Sequence, residues 1–185
     1  MKVTLRNFAA GFALILPSTA MAEWSGPYAG LSFGFTAAAE YSQDDGVFAI
    51  DDSRIFGAFA GYQSQSGSLV FGAELAITNA PDAVLVDAPE FSILAPNVDL
   101  KGRLGYDLGD ILAYGVVGMS RLNVASSDEE APGNGPNIAF GVDYQVSDQL
   151  AVGAEYLVRR IEGRAFDEDI TTDLDDLSLR ASFRF

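Results

Sequence analysis

The sequence predicts an all-β protein, an eight-stranded antiparallel up-and-down transmembrane β-barrel with short periplasmic turns and longer extracellular loops. Three observations predict it. Apolar side chains recur at every second position over segments of about ten residues. The connections between those segments alternate between short and long. The face opposite the apolar one mixes small residues with acids and bases.

The chain opens with Lys2 and Arg6, an apolar run from Phe8 to Leu16, and Ala20-Met21-Ala22 before Glu23. This is the pattern of a cleaved secretory signal peptide over residues 1–22. Its apolar core falls short of the roughly 20 residues that a spanning helix needs. Residues 23–185 then form one barrel domain, and no later stretch is apolar for long enough to cross a bilayer as a helix. Any crossing is made by strands.

Eight strands follow in order. Tyr28 to Ala38 and Arg54 to Gln63 are diluted by glycine and alanine. The third sets Leu69, Phe71, Ala73, Leu75 and Ile77 against Gly72 and Glu74. In the fourth, Val98, Leu100, Gly102, Leu104 and Tyr106 oppose Asp99, Lys101 and Arg103. Ile111 to Val124 is again diluted. The sixth alternates Ile138, Phe140, Val142 and Tyr144 with Ala139, Gly141, Asp143 and Gln145. In the seventh, Leu150, Val152, Ala154, Tyr156 and Val158 oppose Gly153, Glu155 and Arg159. The eighth sets Leu177, Leu179, Ala181, Phe183 and Phe185 against Ser178, Arg180, Ser182 and Arg184.

Ser64-Gln65-Ser66-Gly67, Asp107-Leu108-Gly109-Asp110 and Ser147-Asp148-Gln149 are the short connections. The long ones run from about Glu40 to Asp52, Ala80 to Glu90, Ala125 to Pro136 and Gly163 to Asp175, and they hold most prolines and many acids. An even strand count puts both ends on the short-turn side, the periplasm. Strand ends there should carry an interfacial aromatic girdle, assigned to Tyr28, Tyr62, Phe71, Tyr106, Tyr114, Tyr144 and Phe185.

Alternation alone does not separate a membrane barrel from a soluble one; the polar face does. It carries Glu74, Asp99, Lys101, Arg103, Asp143, Glu155, Arg159, Arg180 and Arg184, which are four acids and five bases. An eight-stranded lumen is only wide enough for side chains, so these charges must pair with one another. A solvated outer face would need no such balance. The nine bases of residues 23–185 place five on this face, whereas the loops are strongly acidic.

The segment Trp24-Ser25-Gly26-Pro27-Tyr28-Ala29-Gly30 resembles the W-x-G-x-Y-x-G opening of the small OmpA-like outer-membrane β-barrel proteins, the porin-family or Omp25/Omp31 type of alphaproteobacteria. Gly57-Ala58-Phe59-Ala60-Gly61-Tyr62, Phe71-Gly72-Ala73-Glu74, Gly102-Arg103-Leu104-Gly105-Tyr106 and the terminal Phe185 extend the likeness over residues 23–185. The resemblance implies that Phe183 and Phe185 form the signal read by the outer-membrane barrel assembly machinery. It implies no catalytic residues. The long peptidoglycan-binding domain of full-length OmpA proteins is not expected here.

The chain has no cysteine and no histidine, so neither a disulfide framework nor a Ser-His-acid site is expected. No cofactor and no metal are expected either. A formal charge of −15, which becomes −17 without Lys2 and Arg6, argues against a nucleic-acid partner. The acidic groups Asp44-Asp45-Gly46, Asp128-Glu129-Glu130, Asp167-Glu168-Asp169 and Asp173, Asp175, Asp176 read as solvated loop charge. Arg54 and Arg160 fall by parity on the lipid side near the long-loop rim, where lipopolysaccharide phosphates lie. The reading is a monomeric structural barrel for envelope integrity with a charge-plugged lumen. A narrow pore for ions or small solutes is the alternative, and adhesion through the loops the third. A high content of loop aromatics would favour adhesion, and only Tyr41, Phe48, Phe91 and Phe166 lie in or beside the loops, which weighs against it.

Overall fold

The computed structural model describes residues 24–43, 46–49, 54–79, 84–85, 88–92, 96–125, 130–165 and 168–185. Side chains are described for 24–36, 54–79, 96–122, 133–162 and 173–185. The predicted signal segment lies outside the described residues.

Eight strands form one antiparallel sheet: β1 (Gly26–Gln43), β2 (Arg54–Ser66), β3 (Leu69–Asn79), β4 (Asn97–Asp107), β5 (Ile111–Ala125), β6 (Glu130–Gln145), β7 (Leu150–Ala165) and β8 (Glu168–Arg184). Each pairs with its sequence neighbours, and β8 pairs back onto β1 from Tyr28↔Arg184 to Ser42↔Thr171, which closes the barrel. A short strand at Gly46–Ala49 folds back on β1, and Val84–Leu85 pairs with Ala88–Ser92. Among the described residues no helix is long and apolar enough to cross a bilayer.

Turn chemistry sets the short rim. Gly67 (φ 60°) and Gly109 (φ 90°) occupy the left-handed positions that the β2–β3 and β4–β5 turns require. Asp107 caps the second by accepting the Gly109 N–H on Oδ1 at 2.8 Å. At the other rim the strands run further than their apolar alternation. Ala125 pairs with Glu130 and Ala165 with Glu168, so the segments read as loops at 125–136 and 163–175 are largely continuations of the β5–β6 and β7–β8 hairpins. The alternation fades there because a strand standing in water needs no oily face.

The outer wall is apolar. Leu31, Leu100, Leu104, Val117, Phe140 and Leu179 are each at least 60% exposed. On β5 the apolar outward face runs from Ile111 to Met119. At about 3.3 Å per residue and the usual barrel tilt this spans about 20 Å, comparable with the ~25 Å apolar band of outer-membrane barrels.

Inside, large aromatic rings lie across glycines of the neighbouring strand. Tyr28 pairs with Gly61, Phe59 with Gly30, and Tyr114 with Gly141. A Cβ on Gly61 would stand 2.6 Å from Tyr28 Oη and 2.5 Å from Ala73 O. Only glycine leaves room for the ring. Trp24 closes the short-turn mouth: its N–H donates to Gln65 Oε1 (2.9 Å) and its indole Nε1 to Asp107 Oδ1 (3.2 Å), so both glycine turns hold it. Ile55, Leu122, Ile161 and Leu174 are buried at the long-loop ends of their strands.

Gly61→Ala should therefore destabilise the barrel by about 1–3 kcal/mol through overpacking. Gly102→Ala, outward and with nothing closer than 3.5 Å, should be near neutral. Urea unfolding in micelles, read from the fluorescence of Trp24, the single tryptophan, gives both values.

Candidate functional site: the buried ions of the lumen

Among the described residues, four cations and five carboxylates are buried within the barrel: Lys101, Arg103, Arg159 and Arg180, with Glu74, Asp99, Asp143, Glu155 and Asp176. Their places along the strands divide them into two tiers.

The tier nearer the short turns joins β3, β4, β6, β7 and β8. Arg180 stands between two acids, with Nη2 2.5 Å from Glu74 Oε2 and Nη1 2.9 Å from Glu155 Oε2. Lys101 Nζ lies 2.6 Å from Glu155 Oε1 and 3.6 Å from Glu74 Oε1. Arg103 reaches Asp143 Oδ2 at 2.8 Å and Glu74 Oε2 at 3.4 Å. Three acids meet three bases, and the tier is neutral. Tyr28 Oη donates to Glu74 Oε2 (2.9 Å) and accepts from Arg103 Nη1 (3.0 Å); Tyr114 Oη donates to Glu155 Oε2 (3.1 Å). The guanidinium faces are covered as well. Arg103 lies 3.9 Å from the Tyr114 ring centroid and Arg180 3.8 Å from that of Phe59.

The tier nearer the long loops centres on Arg159. Its Nε and Nη2 donate to the two oxygens of Asp99 at 3.0 and 2.7 Å, a bidentate fork, and its Nη1 donates to Asp176. Ser120 Oγ donates to Asp99 Oδ1 (2.6 Å), and Asn137 Nδ2 donates to Ser120 Oγ (2.8 Å). Two acids share one base, so this tier carries one excess negative charge. Buried side-chain atoms without a protein partner among the described residues are Asn97 Oδ1, Arg103 Nε, Asn137 Oδ1 and Gln145 Oε1.

Eight of the nine charges expected inside are buried in these tiers. Arg184 is the exception: it faces inward at the short-turn rim, where Nη2 donates to the Asp148 carbonyl (2.7 Å) and the guanidinium lies 5.4 Å from the Trp24 ring centroid. Asp176, read as solvated loop charge, is buried against Arg159. Carrying the parity of Ser178, Arg180 and Ser182 two residues upstream finds it. The girdle needs two corrections. Tyr62, Phe71, Tyr106, Tyr144 and Phe185 face outward, whereas Tyr28 and Tyr114 are buried in the lumen. Both rings are drawn inward by the glycines opposite them and by hydroxyl partners among the ions.

Arg54 and Arg160 are exposed on the outer wall, and Arg160 Nε lies 3.8 Å from Asp173 Oδ1. Phe183 and Phe185 both point outward with ring centroids 5.3 Å apart. Tyr41, Phe48, Phe91, Phe166 and the acids at 44–45, 128–130 and 167–169 lie outside the residues whose side chains are described. Among the described residues, no group of three or more His, Cys, Asp or Glu is placed to hold a metal ion.

An oily outer wall, closed antiparallel strands and an interior of paired ions define a small membrane β-barrel. The chain matches the outer membrane protein β-barrel domain over residues 8–185, and it belongs to that family. It is 28% identical over 115 residues to a 22 kDa outer membrane protein of Rhizobium leguminosarum bv. viciae, an alignment covering 60% of this chain and 54% of that protein. The chain thus spans about half of that relative. It is 25% identical to the 25 kDa outer-membrane immunogenic protein of Brucella abortus, over 88% of this chain and 79% of that one. Among solved structures, Neisserial surface protein A matches with a TM-score of 0.57 and 18% identity, covering 87% of this chain and 98% of that one. That likeness shows the fold.

Removing an acid from the neutral tier strands buried cations, so Glu74→Ala should cost about 3–5 kcal/mol. Arg184→Ala at the rim should cost no more than about 1 kcal/mol. In the other tier the two acids should differ. Asp176→Asn removes the excess charge and leaves the Asp99 fork intact, so it should cost less than Asp99→Asn. The same urea titration ranks all four variants, and an equal cost for the two asparagine variants contradicts the charge count.

Proposed function

We propose that this protein is an exported structural element of the outer membrane, a monomeric barrel that contributes to envelope integrity and is closed to ions and solutes along its axis. The observation that carries the reading is the pairing of the nine charges buried among the described residues, in a lumen of eight strands. Moving an ion along the axis would mean breaking several buried pairs at once, each costing several kcal/mol. Open aqueous channels belong to barrels of about 16 strands. No catalytic role is assigned.

In this reading the signal segment is cleaved after Ala22. The assembly machinery engages the strand ending in Phe183 and Phe185, whose outward rings stand at the periplasmic margin. Lipopolysaccharide surrounds the opposite margin, where Arg54 and Arg160 are exposed.

The protein purified from outer membranes should migrate differently on gels before and after boiling, and it should be electrically silent in a planar bilayer. Regular, voltage-stable openings from the folded form would establish a pore and overturn the structural reading.

A further inference from the structure

Basic residues on the outer wall are confined to one margin. Among the described residues, no lysine or arginine faces outward from the girdle of Tyr62, Tyr106 and Tyr144 up to the long-loop ends of the strands, where Arg54, Arg121 and Arg160 are exposed. Arg121 on β5 and Arg160 on β7 flank β6 on a diagonal, Arg160 standing two residues from Glu162, which is the residue level with Arg121 across Asn134, so the two arginines are about 12 Å apart. Between them the outward residues of β6 are Asn134, the register partner of both Arg121 and Glu162, and Pro136, the partner of Met119. Directly toward the membrane lies an uninterrupted apolar wall of Val117, Met119, Ile138 and Phe140, with Phe140 stacked on Tyr156 at 5.4 Å between centroids.

We propose that this face of β5, β6 and β7 is a binding site for a phosphorylated, acylated glycolipid of the outer leaflet. Its two phosphates are taken by Arg121 and Arg160, its sugar hydroxyls meet the Asn134 amide, and its acyl chains run down over Ile138 and Phe140. Two forked cations on either side of a small polar residue suit a lipid with two anionic groups better than a glycerophospholipid with one. Two acids border the site, Glu162, exposed directly across Asn134 from Arg121, and Asp173, opposite Arg160. Arg160 and Asp173 are 3.8 Å apart and both more than half exposed, so the pair is weak and a phosphate displaces it.

The site rests on the reading that the long-loop margin stands in the outer leaflet, and outer-membrane fractionation with the boiling-dependent gel shift checks that reading separately. The protein purified from outer membranes is mixed in micelles with lipid A carrying two phosphates, with its monophosphorylated form, or with phosphatidylglycerol, and binding is read by native mass spectrometry. Wild type should retain the bisphosphorylated lipid most tightly. The double variant Arg121→Ala/Arg160→Ala, folded by the gel shift, should bind it at least about tenfold more weakly, as expected for two lost charge-assisted contacts. Arg184→Ala, which removes one arginine at the opposite rim, should bind like wild type. Undiminished binding by the double variant overturns the site, and equal retention of phosphatidylglycerol overturns the glycolipid assignment.

Discussion

Eight strands close into a cylinder whose interior holds side chains and little else, and most of this molecule follows from that width. A polar group pointing inward has no bulk water to fall back on, so it must find a partner on another strand or cost several kcal/mol. The lumen meets that demand with ions that answer ions. Glu74 is met from β4 and β8, Glu155 from β4 and β8, and Arg103 from β3 and β6. The aromatic rings serve the same constraint, since Tyr28, Phe59 and Tyr114 fill the space that the glycines leave and cover the flat faces of the guanidinium groups.

The lumen charges were legible in the sequence because charge is rare on a strand that must also face lipid. On β4, Asp99, Lys101 and Arg103 alternate with Val98, Leu100, Gly102 and Leu104, and parity leaves no choice. On β5 parity is silent. Leu112, Tyr114 and Val116 face inward while Ile111, Ala113 and Val117 face outward, so both sides read as apolar and Tyr114 joins the wrong face. Tyr28 escaped for a different reason: Ala29 and Gly30 flatten the alternation, and the signal that places the ring is Gly61 on another strand. Register, not local pattern, carries that information. Asp176 was hidden by its company, since Asp173 and Asp175 beside it face outward and make the run look like solvated loop.

The same two-residue period serves two solvents. Outward positions answer to lipid and accept almost any apolar residue, from Gly102 to Phe140. Inward positions answer to one another and tolerate little change. Sequence drift should therefore concentrate on the outer wall and in the extended hairpins, while the ion partners and the glycines beneath the rings change together or not at all.

The placement of Arg180 on β8 bears on how the barrel is completed. Before that strand docks, Glu74 and Glu155 have only Lys101 and Arg103 to share between them, and Arg159 lacks Asp176. A seven-stranded precursor thus leaves the tier nearer the short turns with three acids and two bases, and leaves the edges of both β1 and β7 unpaired. Both are cured by the arrival of one strand, which brings both Arg180 and Asp176, so the last seam of the cylinder completes the ion pairs without changing their sum, and a half-zipped assembly differs from the finished one by its unpaired ions.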